Sequence, residues 1–217
     1  STTLKMLTGV LAPSCGTITV CGTNLEQRPK IAKRHIGYLP EETPVYVDLT
    51  VDEYLAYCAS LKLIARSSHP DVIEHAKQRC GLSDVGGRLI GTLSKGYRQR
   101  IGIAQAIIHE PSVLVLDEPT NGLDPNQIRD VRDLVRELAA ASRALIISTH
   151  VLTEVQALCD NVVIIHQGEL CYSGDLASAG ANMVVELSPP QYLAFFLQLD
   201  GVSAATYVND SKVSLNC

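Results

Sequence analysis

Two adjacent acidic residues follow an apolar segment of the sequence. Asp117 and Glu118 come directly after the run Val-Leu-Val-Leu at 113–116, which is typical of a buried strand. In a parallel sheet, ligands bind beyond the carboxyl ends of the strands, so we expect both carboxylates at that edge. One of them could hold a hydrated Mg²⁺, and the other could polarise a water for attack on a phosphoryl group. Taken alone, the pattern does not decide between this chemistry and a purely structural role.

Three further positions carry polar residues at the predicted ends of elements. The tripeptide Ser-Lys-Gly at 94–96 precedes a predicted helix whose free backbone N–H groups could hold an anion, although serine is also an ordinary N-cap. Asp124 before Pro125 is typical of a helix start, and a structural role as N-cap and first helical residue is enough to explain both residues. His150 follows a predicted strand at 145–149, where a satisfied core or surface histidine is the alternative.

The elements that must position these residues alternate along the chain. From residue 93 onward helices and apolar strands follow each other, which indicates a parallel sheet covered on both faces. The predicted helices there lie at 97–108 and 126–140, and the predicted strands at 113–116, 144–148 and 162–165. Earlier residues predict helices at 4–11, 51–64 and 71–80, with Thr50 as a cap, and strands at 16–20 and 36–39. After residue 174, strands at 183–187, 204–208 and 212–215 and a helix at 190–199 predict a different, smaller module.

Composition limits the classes of function. The 217 residues are 46% hydrophobic and suffice for one large domain or one domain with an appendage. The net charge of −5 and the lack of a Lys-Arg block argue against nucleic-acid binding. The longest apolar runs are far shorter than the roughly 20 residues that span a bilayer. The seven cysteines form no CxxC pair, so we expect them to be reduced thiols that pack as small buried hydrophobic residues, rather than a metal or redox site.

Four motifs in order resemble one family, the nucleotide-binding subunits of ATP-binding cassette (ABC) transporters. LSKGYRQR at 93–100 is similar to the family signature, VLVLDEP at 113–119 to the Walker B strand, NGLD at 121–124 to the D-loop and STH at 148–150 to the switch-histidine motif. The resemblance covers residues 1–174. It implies an α/β fold of the P-loop NTPase type, with a parallel sheet flanked by helices and an inserted helical subdomain at about 45–105. Residues 175–217 would form a small α+β appendage.

The resemblance also implies ATP and Mg²⁺ as cofactors and assigns roles to individual residues. Glu118 would be the general base or water orienter, and His150 would stabilise charge on the transferring phosphoryl group. Asp117 and Ser1 would bind Mg²⁺, joined by Glu41, which stands where the family generally carries a glutamine. The nucleotide-binding residues would be Ser1, Thr2, Glu41, Ser94, Lys95, Gly96, Gln99 and Asp124.

Ser1-Thr2 resembles the end of the Walker A loop, just after its lysine. We therefore expect the chain as given to be a truncated piece that binds ATP poorly and hydrolyses little of it. In the intact protein, the resemblance implies a homodimer or heterodimer of ATPase subunits at the cytoplasmic face of the plasma membrane. The partner would be a separate integral-membrane permease, with export as the favoured direction, and Tyr46, Val47 and Leu49 are candidate contacts with it.

Two other functions stay open at this point. A soluble cassette ATPase that serves ribosomes or chromosomes is less favoured, because only 53 positions separate Glu41 from Ser94 and leave no room for a long coiled-coil insertion. A regulatory piece without catalysis is the other alternative.

Overall fold

The computed structural model describes residues 2–140 and 143–176, together with the backbone of three strands at 182–186, 204–209 and 212–216. The chain divides into two compact units, 1–148 and 149–217. The first unit contains α1 (Thr2–Leu7), β1 (Thr19–Val20), β2 (Thr23–Asn24), α2 (Pro29–Arg34), β3 (Ile36–Leu39), α3 (Val51–Leu61), α4 (His69–Cys80), α5 (Lys95–Ile107), β4 (Val113–Asp117), α6 (Pro125–Ala140) and β5 (Ala144–Ser148). The second contains α7 (Leu152–Leu158), β6 (Asn161–His166), β7 (Glu169–Asp175), β8 (Asn182–Glu186), β9 (Ala204–Asn209) and β10 (Lys212–Asn216).

A three-stranded parallel sheet forms the centre of the first unit. Its order is β3-β4-β5, and the register pairs Leu39 with Leu116 and Asp117 with Ser148. The side chains of β4 are buried from Leu114 onward, as expected for a strand covered on both faces. The predicted parallel α/β sheet is therefore confirmed, and the register brings the ends of β4 and β5 level with each other.

Helix α5 lies unusually close to β3. A Cβ atom on Gly37 would come within 2.2 Å of the carbonyl oxygen of Ala106, and one on Gly102 would come within 2.6 Å of Leu39 Cδ1. The amide of Gln105 donates a 2.8 Å hydrogen bond to Tyr38 O across the same contact. Two glycines thus let the helix that begins at the signature string pack directly on the strand that leads to Glu41.

Capping residues set the start of α3 and the end of α4. Thr50 and Glu53 form a capping box at the start of α3, with a 2.8 Å bond from Thr50 N–H to the Glu53 carboxylate. Helix α4 ends at Cys80, and the residue that caps it, Gly81, has a φ of 63°, the left-handed conformation that favours glycine. Helix α3 ends at Leu61, earlier than predicted, because Leu63 adopts a φ of 60°. The proposed extent of a helical subdomain, 45–105, stays a prediction.

Two elements near the start of the chain are shorter than their patterns predict. Helix α1 stops at Leu7 because Thr8 bonds back to Leu4 O and Gly9 has a φ of 69°. Only Thr19 and Val20 of the predicted strand 16–20 form a strand, which pairs with β2.

In the second unit, the described residues form one short helix and two antiparallel sheets. The predicted strand 162–165 is part of β6, but it pairs antiparallel with β7 through a turn at Gln167 and Gly168, and not with the parallel sheet. Strands β8, β10 and β9 form an antiparallel sheet. The predicted helix at 190–199 lies outside the described residues. The predicted boundary after residue 174 stays a prediction, whereas the division into compact units falls between Ser148 and Thr149 in the sequence.

Candidate functional site

The carboxylate of Asp117 lies at the carboxyl end of the central strand and is almost fully buried, with 2% of its surface exposed. The hydroxyl of Ser148, its partner across the ladder, donates a hydrogen bond to Asp117 Oδ1. Tyr38 on β3 interacts with this charge. The pKa of its phenol is raised, first by burial and second by the negative charge of Asp117. The site therefore presents a buried carboxylate beside a neutral phenol.

The next residue, Glu118, leaves the strand in a left-handed conformation. Its φ is 49°, which is uncommon for a residue with a side chain. Its backbone N–H donates to Ser148 O at 3.0 Å and to Ser148 Oγ at 3.3 Å. The carboxylate is partly buried, and the chain turns directly afterwards, with Asn121 N–H bonded to Glu118 O. The backbone of Glu118 is therefore held at the point where the chain leaves the strand.

The tip of α5 forms the second group of predicted site residues. Ser94 is the N-cap of α5, and its Oγ accepts a 3.4 Å hydrogen bond from Tyr97 N–H. Ser94 and Lys95 are exposed, whereas Gly96 is buried against α6, where a Cβ atom would come within 2.7 Å of Gln127 Cδ. The ordinary capping role is thus present, and the helix end still faces outward with its first residues accessible.

The turn before α6 lies against this tip. Asp124 is exposed and caps α6 by accepting a 2.9 Å hydrogen bond from Gln127 N–H. Gly122 has a φ of 68°, and the ammonium of Lys95 occupies the space where a side chain at this position would begin. The structure therefore brings the signature string and the NGLD turn of the same chain together.

Gln99 and Glu41 occupy different environments. Gln99 is 4% exposed, and its Oε1 accepts a 2.7 Å hydrogen bond from the Thr43 hydroxyl. This contact joins α5 to the loop after β3, in which Glu41 is exposed. The predicted role of Gln99 in nucleotide binding stays a prediction, and its observed hydrogen bond is internal.

Comparisons with known proteins agree on one family. A family model described as ABC transporter matches residues 1–121. The ABC transporter ATP-binding protein NatA of Bacillus subtilis is 39% identical over 82% of this chain and 73% of its own length. The chain belongs to the ABC transporter family. A solved structure titled as the ATP-binding subunit of an ABC transporter superposes with a TM-score of 0.72 at 29% identity, over 82% of this chain and 74% of that one.

Another relative is a transport protein by name. The bacitracin transport ATP-binding protein BcrA of Bacillus licheniformis is 39% identical over 78% of this chain, which spans 55% of that protein's length. The chain is thus an ABC transporter ATP-binding subunit, and ABC transporter ATP-binding proteins are ATPases. No helix among the described residues combines the length and the apolar character that crossing a membrane requires.

The remaining predicted residues of this ABC subunit lie apart from the acid pair in the sequence. Thr2 is exposed at the first position of α1, and Ser1 lies outside the described residues. His150 is exposed in the second unit, just before α7. Beside it, the Thr149 hydroxyl donates to the buried carboxylate of Glu154 at 3.2 Å and accepts from Val151 N–H at 3.1 Å. These bonds hold the backbone on both sides of His150.

The donors at the end of β4 fit Mg²⁺ carried by a nucleotide. Within residues 2–140 and 143–176, no three His, Cys, Asp or Glu side chains form a cluster that could hold a metal ion. Mg²⁺ usually binds through one or two carboxylates together with substrate phosphates, and Asp117 supplies such a carboxylate. Sequence reasoning did not select Ser148 or Tyr38. The STH motif contained Ser148, but only the strand register shows that its hydroxyl contacts Asp117.

Proposed function

We propose that this ABC transporter ATP-binding subunit hydrolyses MgATP with Asp117 as the metal-binding carboxylate and Glu118 as the group that orients and deprotonates the attacking water. The arrangement that carries the proposal is the pair of acids at the carboxyl end of β4, where Ser148 bonds to the carboxylate of Asp117 and to the backbone N–H of Glu118. Bound Mg²⁺ would neutralise charge on the phosphates. Glu118 would accept the proton of the attacking water as the γ-phosphoryl group is transferred. His150 would stabilise the negative charge on that phosphoryl group.

The test uses the natural full-length protein. The substitution Glu118→Gln keeps the size and removes the proton acceptor, so we expect ATP hydrolysis to fall by at least about 100-fold, the lower range for loss of a general base. ATP binding, followed with a fluorescent analogue, should stay within about threefold. Glu26→Gln, at an exposed position before α2, is the matched control and should hydrolyse ATP normally. Undiminished hydrolysis by the Glu118→Gln protein would contradict the proposal.

We propose further that two subunits close on ATP, with the α5 tip of one facing the nucleotide of the other. The exposure of Ser94 and Lys95 at a helix N-terminus supports this, because such an end attracts phosphate. Ser94→Arg in the Glu118→Gln background should abolish ATP-dependent dimerisation in light scattering. An ATP-dependent dimer of unchanged stability would contradict it.

The proposed partner is an integral-membrane permease at the cytoplasmic face of the membrane. Tyr46 and Val47 are 52% and 50% exposed in the loop before α3, and Tyr46 packs edge-to-face on Tyr57, with ring centroids 5.7 Å apart. Leu49, the third predicted contact, is only partly exposed. We infer that a cytoplasmic segment of the permease covers this patch. Val47→Asp should reduce co-purification with the permease, whereas Val10→Ser, also at an exposed valine, should not.

Export is the direction that the name of one relative supports. BcrA is named for bacitracin transport, and a 35% identical relative from Burkholderia orbicola is named the Nod factor export ATP-binding protein I. These names favour a transporter subunit over a ribosomal or chromosomal ATPase. Uptake and export assays in inverted vesicles that contain the permease would distinguish the two directions.

A further inference from the structure

Ser148 connects the two acids of the site through a single oxygen atom. It is the last residue of β5 and lies opposite Asp117 in the parallel ladder. Its hydroxyl donates to Asp117 Oδ1 and accepts a 3.3 Å hydrogen bond from the backbone N–H of Glu118. Since a hydroxyl is both donor and acceptor, Ser148 can make both bonds at once, which alanine, valine or isoleucine at this position could not.

The backbone of Ser148 can hold Glu118 but not the carboxylate of Asp117. The carbonyl of Ser148 accepts from Glu118 N–H at 3.0 Å, as a parallel ladder requires, but it cannot donate to a carboxylate. Asp117 is almost fully buried, and a buried carboxylate needs hydrogen-bond donors that fix its orientation. Glu118 has a left-handed backbone that persists only where neighbouring bonds determine it. The Ser148 hydroxyl contributes to both, because it donates to the carboxylate of Asp117 and accepts from the backbone N–H of Glu118.

We propose that Ser148 is a positioning residue that fixes the carboxylate of Asp117 for the Mg²⁺ of MgATP and the backbone of Glu118 for the attacking water. This inference rests on the metal-binding role proposed above for Asp117. Hydrogen-bond partners of metal-ligating carboxylates orient the ligand, and their loss typically lowers metal affinity or activity about 10- to 100-fold. The hydroxyl thus acts through Asp117, without touching the reacting phosphate itself.

The experiment measures metal binding directly on the natural full-length protein. Mn²⁺ serves as the probe in the presence of saturating ADP, and the electron paramagnetic resonance signal of free Mn²⁺ gives its affinity. Ser148→Ala should weaken Mn²⁺ binding about 10-fold. Ser148→Thr, the matched control, keeps the hydroxyl and should bind within about threefold of the original protein. The concentration of Mg²⁺ that half-saturates ATP hydrolysis should rise in parallel for Ser148→Ala.

Two further variants separate the possible outcomes. Asp117→Asn tests the metal role itself, and unchanged Mn²⁺ affinity in this variant would contradict the proposed function. If Asp117→Asn weakens binding and Ser148→Ala does not, only the proposal for Ser148 is overturned. Should the alanine variant fail to fold, Ser148→Cys replaces the hydroxyl with a weak donor of similar shape and should weaken Mn²⁺ binding. Affinity like that of the original protein in the cysteine variant would overturn the proposal.

Discussion

The close contact between β3 and α5 predicts a large effect for one added methyl group. A Cβ atom at Gly37 would lie 2.2 Å from Ala106 O and 2.9 Å from Pro111 Cγ, whereas real Cβ contacts essentially never fall below 3.0 Å. The Ala106 carbonyl belongs to the helix backbone and cannot rotate away as a side chain could. Gly37→Ala must therefore separate strand and helix by about 1 Å, since cores are packed without spare volume.

The expected cost follows from two opposing effects. Overpacking a core costs about 1–3 kcal/mol, and a backbone clash belongs at the upper end. Alanine in place of glycine recovers about 0.4–1 kcal/mol through the unfolded chain. We expect Gly37→Ala to lower the free energy of unfolding by about 2 kcal/mol, measured by urea denaturation. Gly87→Ala is the control, because its Cβ would meet nothing within 4 Å, and should change stability by less than about 0.5 kcal/mol. Equal urea midpoints for the two variants would refute the reasoning.

Three other predictions concern capping, pH and thiols. Thr50→Ala removes the cap of α3 and should cost about 1 kcal/mol in urea denaturation. Burial first, and the charge of Lys62 second, lower the pKa of His109 to about 4. The His109 imidazole therefore binds a proton more readily in the unfolded chain than in the folded one. Stability should fall between pH 6.5 and 4, by about 1–2 kcal/mol after allowance for partial exposure, and His109→Gln should remove that part of the pH dependence. Iodoacetamide should modify the exposed Cys15 before the buried Cys80, and burial raises the pKa of the Cys80 thiol to about 12.

The central elements of the fold were predictable because their signals are local. Four consecutive apolar residues predict β4 at 113–116, and the strand spans Val113–Asp117. Ser94 and Asp124 each cap a following helix by a hydrogen bond from a backbone N–H three residues later, as their types predict. Helix α3 begins at Val51, directly after the predicted cap Thr50. Caps and apolar runs are properties of a few neighbouring residues, so a sequence pattern suffices to find them.

The contacts that sequence reasoning missed join residues far apart in the chain. Ser148 and Asp117 are 31 positions apart, and Thr43 and Gln99 are 56 apart. Neither pair has a signature in the sequence, since each depends on strand register or on helix-to-loop packing. Gln99 illustrates the difference: its place in the signature string predicts contact with nucleotide, whereas its amide oxygen accepts a hydrogen bond from inside the same chain. For strand 162–165, apolar composition did not reveal the antiparallel hairpin.

The paired contacts between the α5 tip and the turn before α6 have a mechanical consequence. The lack of a side chain at Gly96 leaves room for Gln127, and the lack of one at Gly122 leaves room for Lys95. Each segment thus packs into space left by a glycine of the other. Because the two segments pack on each other at both points, we expect them to be displaced together. We therefore expect a protein that docks against the α5 tip to contact the turn before α6 as well, and a push on one of these segments to shift the other.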